Sequence, residues 1–275
     1  MKLLSTITEN IKILEIHGNV DVYVSSLSLD SNTLEENSLF IAIIGNAIDG
    51  HIFIDESVKN GAKVIVHQNE LKNIEHGVTY IKVEDTKDAL GIMASNFYDH
   101  PSRKLKLVGI TGTNGKTTTA TLLHQLFRNL GLKAGMIGTV ANKVNDKSYE
   151  AERTTPDPIT LNQFLDMMVE DGCEYCFMEV SSHAVSLKRI SGLVFAGGVF
   201  SNLTLDHLDY HETFENYRDA KKAFFDGLNA HAFSLSNKDD LNGEYMLQNT
   251  NAKRYFYSLK KEADFTDRLK TKLIG

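Results

Sequence analysis

The sequence predicts an α/β protein: a small N-terminal α/β domain over residues 1–100, then a P-loop-type central domain over residues 101–275 with a mainly parallel sheet flanked by helices. Three observations predict it. Short β-branched runs alternate along the chain with stretches of helical period, the rhythm of βαβ units. A glycine loop ending in Gly-Lys-Thr-Thr, residues 115–118, stands between one such run and one such stretch. The stretch His100-Pro101-Ser102-Arg103 interrupts the alternation as a hinge or linker, and 275 residues exceed what one core of ordinary size serves.

In the first domain, Ser38–Ile44 (SLFIAII) and Lys63–His67 (KVIVH) are short, apolar and β-branched, hence strands. Between them Ile52–Asn60 reads as a helix. Gly61 follows it, and glycine closes a helix at low cost because it tolerates the left-handed conformation. A strand at Thr79–Val83 and a helix over Lys87–Tyr98 complete the unit.

In the second domain a strand over Lys104–Ile110 runs into the glycine loop and then into a helix over Lys116–Leu130. Its apolar positions Ala120, Leu123, Leu126, Phe127 and Leu130 follow the helical repeat, and Gly131 closes it. Strands at Ala134–Val140, Tyr175–Val180, Leu193–Phe200 and Ala232–Leu235 alternate with helices at Ile159–Glu170 and Phe214–Leu228. Such a sheet is covered on both faces and gathers ligands at the carboxyl ends of its strands.

A net charge of −7 argues against a concentrated basic face, so neither nucleic acid nor an anionic membrane is expected as a partner. The opening MKLLSTITENIKILEI is interrupted by charged and polar groups too often for the apolar core of a signal peptide. No window approaches membrane-spanning length, and a cytoplasmic location is expected. The two cysteines, Cys173 and Cys176, have a C-x-x-C spacing that raises a redox or zinc reading, but a four-ligand site lacks its second pair. Their apolar neighbours favour reduced thiols packed beside a buried strand.

The loop in GITGTNGKTTTA, Gly109–Ala120, departs from the strict phosphate-loop pattern, which wants a glycine where this chain has Ile110. The physics survives the departure. Unpaired backbone N–H groups and the positive end of a helix dipole meet at Lys116, while Gly112 and Gly115 permit close backbone approach, and this attracts phosphate. Lys116 is placed for the β/γ-phosphates and the Thr117 hydroxyl for Mg²⁺; a glycine turn of a dinucleotide fold would not need the Gly-Lys-Thr-Thr run. Glu179 closes the strand CFMEV before Ser181-Ser182-His183, where a carboxylate at a neighbouring strand tip holds the same Mg²⁺.

Two other chemistries match parts of the chain. Asn237-Lys238-Asp239-Asp240 fits the N-K-x-D of guanine recognition, but the Asp-x-x-G a GTPase needs between its motifs occurs only downstream, at Asp240–Gly243. His207 and His211 are spaced like a zinc-peptidase pair, yet Leu208 stands where the general-base Glu belongs.

TGTNGKTTT (111–119), TTPDP (154–158), MEVSSHAV (178–185) and SNLTLDHLDYHETFENYRDAKK (201–222) together resemble the Mur ligases of peptidoglycan synthesis. The first and last are shared in looser form with folylpolyglutamate synthetases. TTPDP, MEVSSH and an N-terminal part carrying LDS (29–31) and GNAIDGH (45–51) point to the branch that makes the UDP-N-acetylmuramoyl-tripeptide. The resemblance runs from Leu29 to the last residue.

It implies an ATP-dependent, ADP-forming ligase. The γ-phosphoryl of ATP passes to a carboxylate of UDP-N-acetylmuramoyl-L-alanyl-D-glutamate, and a free amino acid, meso-diaminopimelate or L-lysine, displaces phosphate. ATP would be held by Gly112, Thr113, Asn114, Gly115, Lys116, Thr117 and Thr118. One Mg²⁺ would sit at Thr117 and Glu179 and a second at His207, with Lys221 carbamylated, so that Lys116, Glu179, His207 and Lys221 form the catalytic set.

Leu29 and Ser31, with Asn46, Ala47 and Ile48 on the following loop, match positions around the UDP part of the substrate. Thr154, Thr155, Ser181 and Arg189 match those around the muramoyl-peptide arm, where a planar guanidinium suits a carboxylate or pyrophosphate. Asn32 and Leu187 replace the arginine and glutamine found in the family. A C-terminal domain binds the amino acid in such ligases, and the chain stops at Gly275 before it. A truncated, monomeric chain that binds UDP-substrate without ligating is therefore expected. A folylpolyglutamate-type ligase and a stand-alone nucleotide-binding module are the alternatives, told apart by folate binding and by whether the reading frame continues.

Overall fold

Two units make up the chain: Met1–Pro101 with Asp157–Gln163 and Lys188–Leu193, and Ser102–Pro156 with Phe164–Leu187 and Val194–Gly275. The computed structural model describes residues 1–45, 48–206 and 208–266.

The first unit opens with β1 (Lys2–Leu3), α1 (Leu4–Ile7), β2 (Ile13–His17), β3 (Tyr23–Val24) and β4 (Leu27–Ser28). The βαβ rhythm follows as β5 (Ser38–Ile41), α2 (Ile54–Lys59), β6 (Ala62–His67), β7 (Thr79–Val83) and α3 (Thr86–Phe97). The sheet order is β2-β7-β6-β5-β4, parallel from β4 to β7 with β2 antiparallel at the edge, while β1 and β3 pair separately.

Alternate residues face opposite cores: Leu39, Ile41, Val64, Val66 and Ile81 lie with Leu90 and Met93 of α3, and Phe40, Ile65 and Tyr80 with Ile54. The helix expected from Ile52 begins instead as a 3₁₀ turn, Gly50–Phe53, because Asp49 caps it by accepting from His51 N. Asp85 caps α3 in the same way, accepting from Lys87 N at 2.8 Å and Asp88 N at 3.3 Å.

A short helix α4 (Pro101–Lys104) occupies the expected linker; proline is tolerated in a first turn because its missing N–H would be unpaired there. Then come β8 (Lys106–Thr111), α5 (Lys116–Asn129), β9 (Ala134–Ile137), β10 (Ala141–Val144), β11 (Lys147–Glu150), α6 (Pro158–Glu170) and β12 (Tyr175–Glu179). The remainder is α7 (Ser182–Ser186), β13 (Gly197–Phe200), α8 (Leu208–His211), α9 (Phe214–Asp226), β14 (Phe233–Asn237), α10 (Gly243–Met246), β15 (Lys253–Ser258) and β16 (Phe265–Thr266).

The sheet order in the second unit is β11-β10-β9-β12-β8-β13-β14-β15-β16. It is parallel except at one edge, where β10 and β11 form an antiparallel hairpin absent from the sequence reading. β8 lies at the centre with Leu107 and Ile110 fully buried.

Helix α5 corrects one expectation. Ala120, Leu123, His124 and Phe127 make the inward stripe, while Leu126, about 120° around the helix from Ala120, and Leu130, the C-cap beyond Asn129, are exposed. His124 takes a core position, with Nε2 3.1 Å from Asn145 O. Both cysteines are free and buried, and burial pushes the Cys176 thiol far up. Among the described residues no helix is long and apolar enough to cross a membrane.

Candidate active site

β8 delivers the chain at its carboxyl end to Gly112, whose φ of +145° and close surroundings both require glycine: a Cβ there would fall 2.0 Å from Ser201 Oγ. Gly115, at φ +86°, is the N-cap of α5. The segment after β13 holds the intervening turn. Thr113 N donates to Asn202 O at 2.8 Å, Asn114 N to Asn202 Oδ1 at 2.9 Å and Ser201 Oγ to Asn114 O at 2.7 Å. A loop pinned in this way keeps its shape without a ligand, which lowers the ordering cost of binding one.

Two lysines converge on one carbonyl. Lys116 Nζ donates to Gly112 O at 2.9 Å and Thr113 O at 2.8 Å, and Lys221 Nζ donates to the same Gly112 O at 3.1 Å. Lys221 is 1% exposed, on the inward face of α9 with Tyr217, Phe224 and Phe225, and its Nζ lies 4.5 Å from the centroid of the Tyr217 ring. Burial first, then the Lys116 charge, push its ammonium down to about 7, against the opposing pull of Asp206. Burial also lowers Lys116, with Glu179 and Asp206 opposing. An amine poised near neutrality has a substantial unprotonated fraction at physiological pH, the form that reacts with electrophiles.

Glu179 ends β12, which pairs in parallel with β8, so both strands finish at the same edge. It is 1% exposed. Its Oε2 accepts from Thr117 Oγ1 at 2.9 Å and Oε1 from Thr139 N at 2.8 Å, and Thr139 Oγ1 lies 3.2 Å from Oε2. All these partners are neutral. The same strand end gathers three further predicted residues: Thr139 Oγ1 donates to Thr154 Oγ1 at 3.1 Å, Thr155 Oγ1 donates to Glu179 O at 2.8 Å, and Thr155 Oγ1 accepts from Ser181 N at 3.3 Å. Ser181 also caps α7 by accepting from Ala184 N.

Leu29, Ser31 and Arg189 belong to the first unit. Ser31 is 3% exposed; its hydroxyl donates to Glu56 Oε2 at 2.9 Å and its carbonyl accepts from Asn60 Nδ2 at 2.8 Å, while Leu29 is exposed. Thr118 is exposed on the first turn of α5. Asn46 and Ala47, and His207 with its proposed metal role, lie outside the described residues.

The N-K-x-D run is engaged internally. Asn237 Nδ2 donates to Ser201 O at 2.9 Å, Asp240 Oδ2 accepts from Leu203 N at 2.8 Å, and Asp239 accepts from Ser258 Oγ and Leu259 N. Its side chains thus brace the segment that braces the glycine loop.

Sequence reasoning missed Thr139, Tyr217 and the bracing role of Ser201 and Asn202. Tyr217 had a signal: positions 217, 221 and 224 share a helix face, which sets Lys221 among aromatics. Thr139 had none, since only the register of β9 against β12 brings it to Glu179.

Fold and site together define a P-loop-type α/β protein with a buried carboxylate beside its glycine loop. The chain belongs to the Mur ligase family: the profile of the Mur ligase middle domain matches residues 110–274, and that of the Mur ligase family, catalytic domain, residues 23–98. It is 51% identical over 262 residues to the UDP-N-acetylmuramoyl-L-alanyl-D-glutamate–2,6-diaminopimelate ligase of Phocaeicola vulgatus, covering 95% of this chain and 54% of the relative. A solved structure of a ligase of that name superposes with a TM-score of 0.81 at 25% identity, covering 96% of this chain and 54% of its own. The MurF ligase of Thermotoga maritima in complex with ADP shares the fold, with a TM-score of 0.54 at 21% identity over 87% of this chain and 51% of its own. The chain spans about half the length of the curated relatives it matches.

Proposed function

We propose that this chain is the UDP-substrate- and ATP-holding part of a cytoplasmic ligase that adds an amino acid to UDP-N-acetylmuramoyl-L-alanyl-D-glutamate. Residues 1–100 take the UDP end, with Leu29 and Ser31, and residues 101–275 the nucleotide. The names of the relatives favour 2,6-diaminopimelate as the amino acid. The observation that carries this reading is the convergence of Lys116 and Lys221 on Gly112 O at the mouth of a braced glycine loop. The Lys116 cation there suits an anionic triphosphate approached by an anionic carboxylate.

In the reaction a carboxylate oxygen attacks the γ-phosphorus, the bond to the β–γ bridging oxygen breaks, and ADP departs with that electron pair. The amine of the amino acid attacks the acyl carbon, phosphate leaves, and the nitrogen loses a proton to give the amide. Lys116 and the N–H groups of the first turn of α5 hold the phosphates, those of Thr113 and Asn114 being engaged by Asn202. Thr154, Thr155, Ser181 and Arg189 orient the peptide arm.

Thr117 and Glu179 fit Mg²⁺: a hydroxyl and a carboxylate oxygen 2.9 Å apart are hard donors, and a buried carboxylate whose hydrogen-bond donors among the described residues, Thr117 and Thr139, are neutral is stabilised by a cation. His207 is the ligand proposed for a second ion. Bound there, Mg²⁺ neutralises charge between triphosphate and carboxylate. Lys221, with its amine near neutrality, is the lysine proposed to add carbon dioxide: the ammonium gives up a proton, the amine nitrogen bonds to the carbon as one C–O π pair moves onto oxygen, and the nitrogen loses a second proton, so a cation becomes an anion.

The test uses protein extended to the length of the relatives. ADP release should require both UDP-N-acetylmuramoyl-L-alanyl-D-glutamate and diaminopimelate, and Lys116→Ala should abolish it. Release supported by a folate in place of the UDP-substrate would overturn the reading.

A further inference from the structure

The turn Lys188–Leu193, which carries Arg189, is anchored to helix α3 at several points. Lys188 adopts φ +54°, uncommon for a residue with a Cβ, and its Nζ lies 3.0 Å from Asp85 Oδ2 and 3.9 Å from Asp88 Oδ1. Ser191 Oγ donates to Asp88 Oδ1 at 2.8 Å, and Ser191 N donates to Lys188 O at 3.1 Å. At the centre of the contact, backbone lies on backbone. A Cβ on Gly91 would stand 2.6 Å from Ser191 O, and one on Gly192, at φ +76°, would stand 2.7 Å from Gly91 O.

Gly91 is buried in the middle of α3, where glycine costs about 1 kcal/mol relative to alanine. Helix stability does not explain its presence. The approach of Ser191 does, because any side chain at position 91 pushes the turn outward. Asp85 and Asp88 add the polar half of the same anchor, and the result is a fixed backbone on either side of Arg189.

We propose that Gly91 and Asp88 are positioning residues for Arg189, setting where its guanidinium meets an anionic group of the substrate; this rests on the reading of Arg189 as a substrate ligand. Restoring ordinary contact from 2.6 Å to 3.4 Å displaces the turn by most of an ångström, and misplacement of that size costs on the order of 10-fold to 100-fold in function.

The experiment is a calorimetric titration of this chain with UDP-N-acetylmuramoyl-L-alanyl-D-glutamate and, separately, with Mg–ATP. Wild type, Gly91→Ala, Asp88→Ala, the milder Asp88→Asn, Arg189→Ala and the double variant Gly91→Ala/Arg189→Ala are compared, each shown folded by its urea transition. Gly91→Ala should weaken the UDP-substrate about 10-fold and leave ATP unchanged. Asp88→Asn, which keeps an acceptor for Ser191 and loses the charge facing Lys188, should fall between wild type and Asp88→Ala. In the Arg189→Ala background Gly91→Ala should add nothing, since residues acting through one group are not additive. Losses that add in the double variant, or wild-type affinity in Gly91→Ala and Asp88→Ala while Arg189→Ala loses binding, would overturn the proposal alone. Wild-type affinity in Arg189→Ala would overturn the ligand reading and this proposal with it, as would absence of binding by the wild-type chain.

Discussion

Replacing Lys221 by methionine takes an amine out of the interior and keeps the hydrocarbon that packs beside Tyr217, so its effect should depend on pH in a defined direction. Native burial and the neighbouring Lys116 bring the ammonium from 10.5 to about 7. At 1.36 kcal/mol per unit, holding it charged in the fold costs on the order of 5 kcal/mol. Below pH 7 the amine is protonated in both native and unfolded chains and the full penalty is present. Between pH 7 and 10.5 the unfolded chain binds the extra proton, so native stability rises with pH; above 10.5 the penalty is gone. The variant lacks it throughout.

Loss of the bond to Gly112 O costs about 1 kcal/mol, and that carbonyl keeps its bond from Lys116. Lys221→Met should therefore be more stable than wild type by about 3 kcal/mol at pH 7, the difference shrinking toward zero by about pH 10. Urea unfolding of both proteins at matched pH, in buffer free of carbon dioxide, measures it. Titrating groups not coupled to Lys221 are common to both proteins and cancel in the difference. A gap that does not change between pH 7 and pH 10 would refute the assignment of a destabilised buried ammonium. Bicarbonate should raise the stability of wild type and leave the variant unmoved.

Gly112→Ala should destabilise the second unit by about 1–3 kcal/mol, from the positive φ and the displaced Ser201 hydroxyl, and eliminate nucleotide binding measured by calorimetry. Glu179→Gln preserves the shape at Thr117 and Thr139, so ATP affinity without Mg²⁺ should hold while the enhancement by Mg²⁺ falls at least about 10-fold. Asn237→Ala should lower the urea midpoint through the lost bond to Ser201 O, by about 1 kcal/mol, with the preference for ATP over GTP unchanged. A switch in that preference would restore the guanine reading of the N-K-x-D run.

How much of this was legible depends on whether the signal was local. β8, the glycine loop and α5 were readable because apolar run, Gly-Lys-Thr and helical period adjoin in sequence, and the parallel strands β6, β7 and β12 showed themselves as buried β-branched or aromatic runs. The hairpin β10–β11 was not: the inward positions of β10 are Asn142 and Val144, so a buried polar residue breaks the apolar alternation, and β11 is polar and mostly exposed. Strand β13 was drawn four residues too long because Leu193–Phe195 are apolar, yet Leu193 closes the turn anchored on α3. At the site, Lys116, Thr117 and Glu179 could be named from motif, but their convergence with Lys221 and Thr139 arises from strand register and helix packing. The charge state of Lys221 follows from burial among aromatics and a neighbouring lysine, which a linear motif records only as a residue to be kept.

The claim that this site activates a carboxylate by phosphoryl transfer is tested most directly by isotope. UDP-N-acetylmuramoyl-L-alanyl-D-glutamate carrying oxygen-18 in its glutamate carboxylates is supplied, with ATP and diaminopimelate, to protein of the relatives' full length, and the inorganic phosphate is analysed by mass. One labelled oxygen per phosphate is the expected result, because the attacking carboxylate oxygen leaves with phosphorus when the amine displaces it. Phosphate released without label would contradict an acyl phosphate and the function assigned to the two lysines.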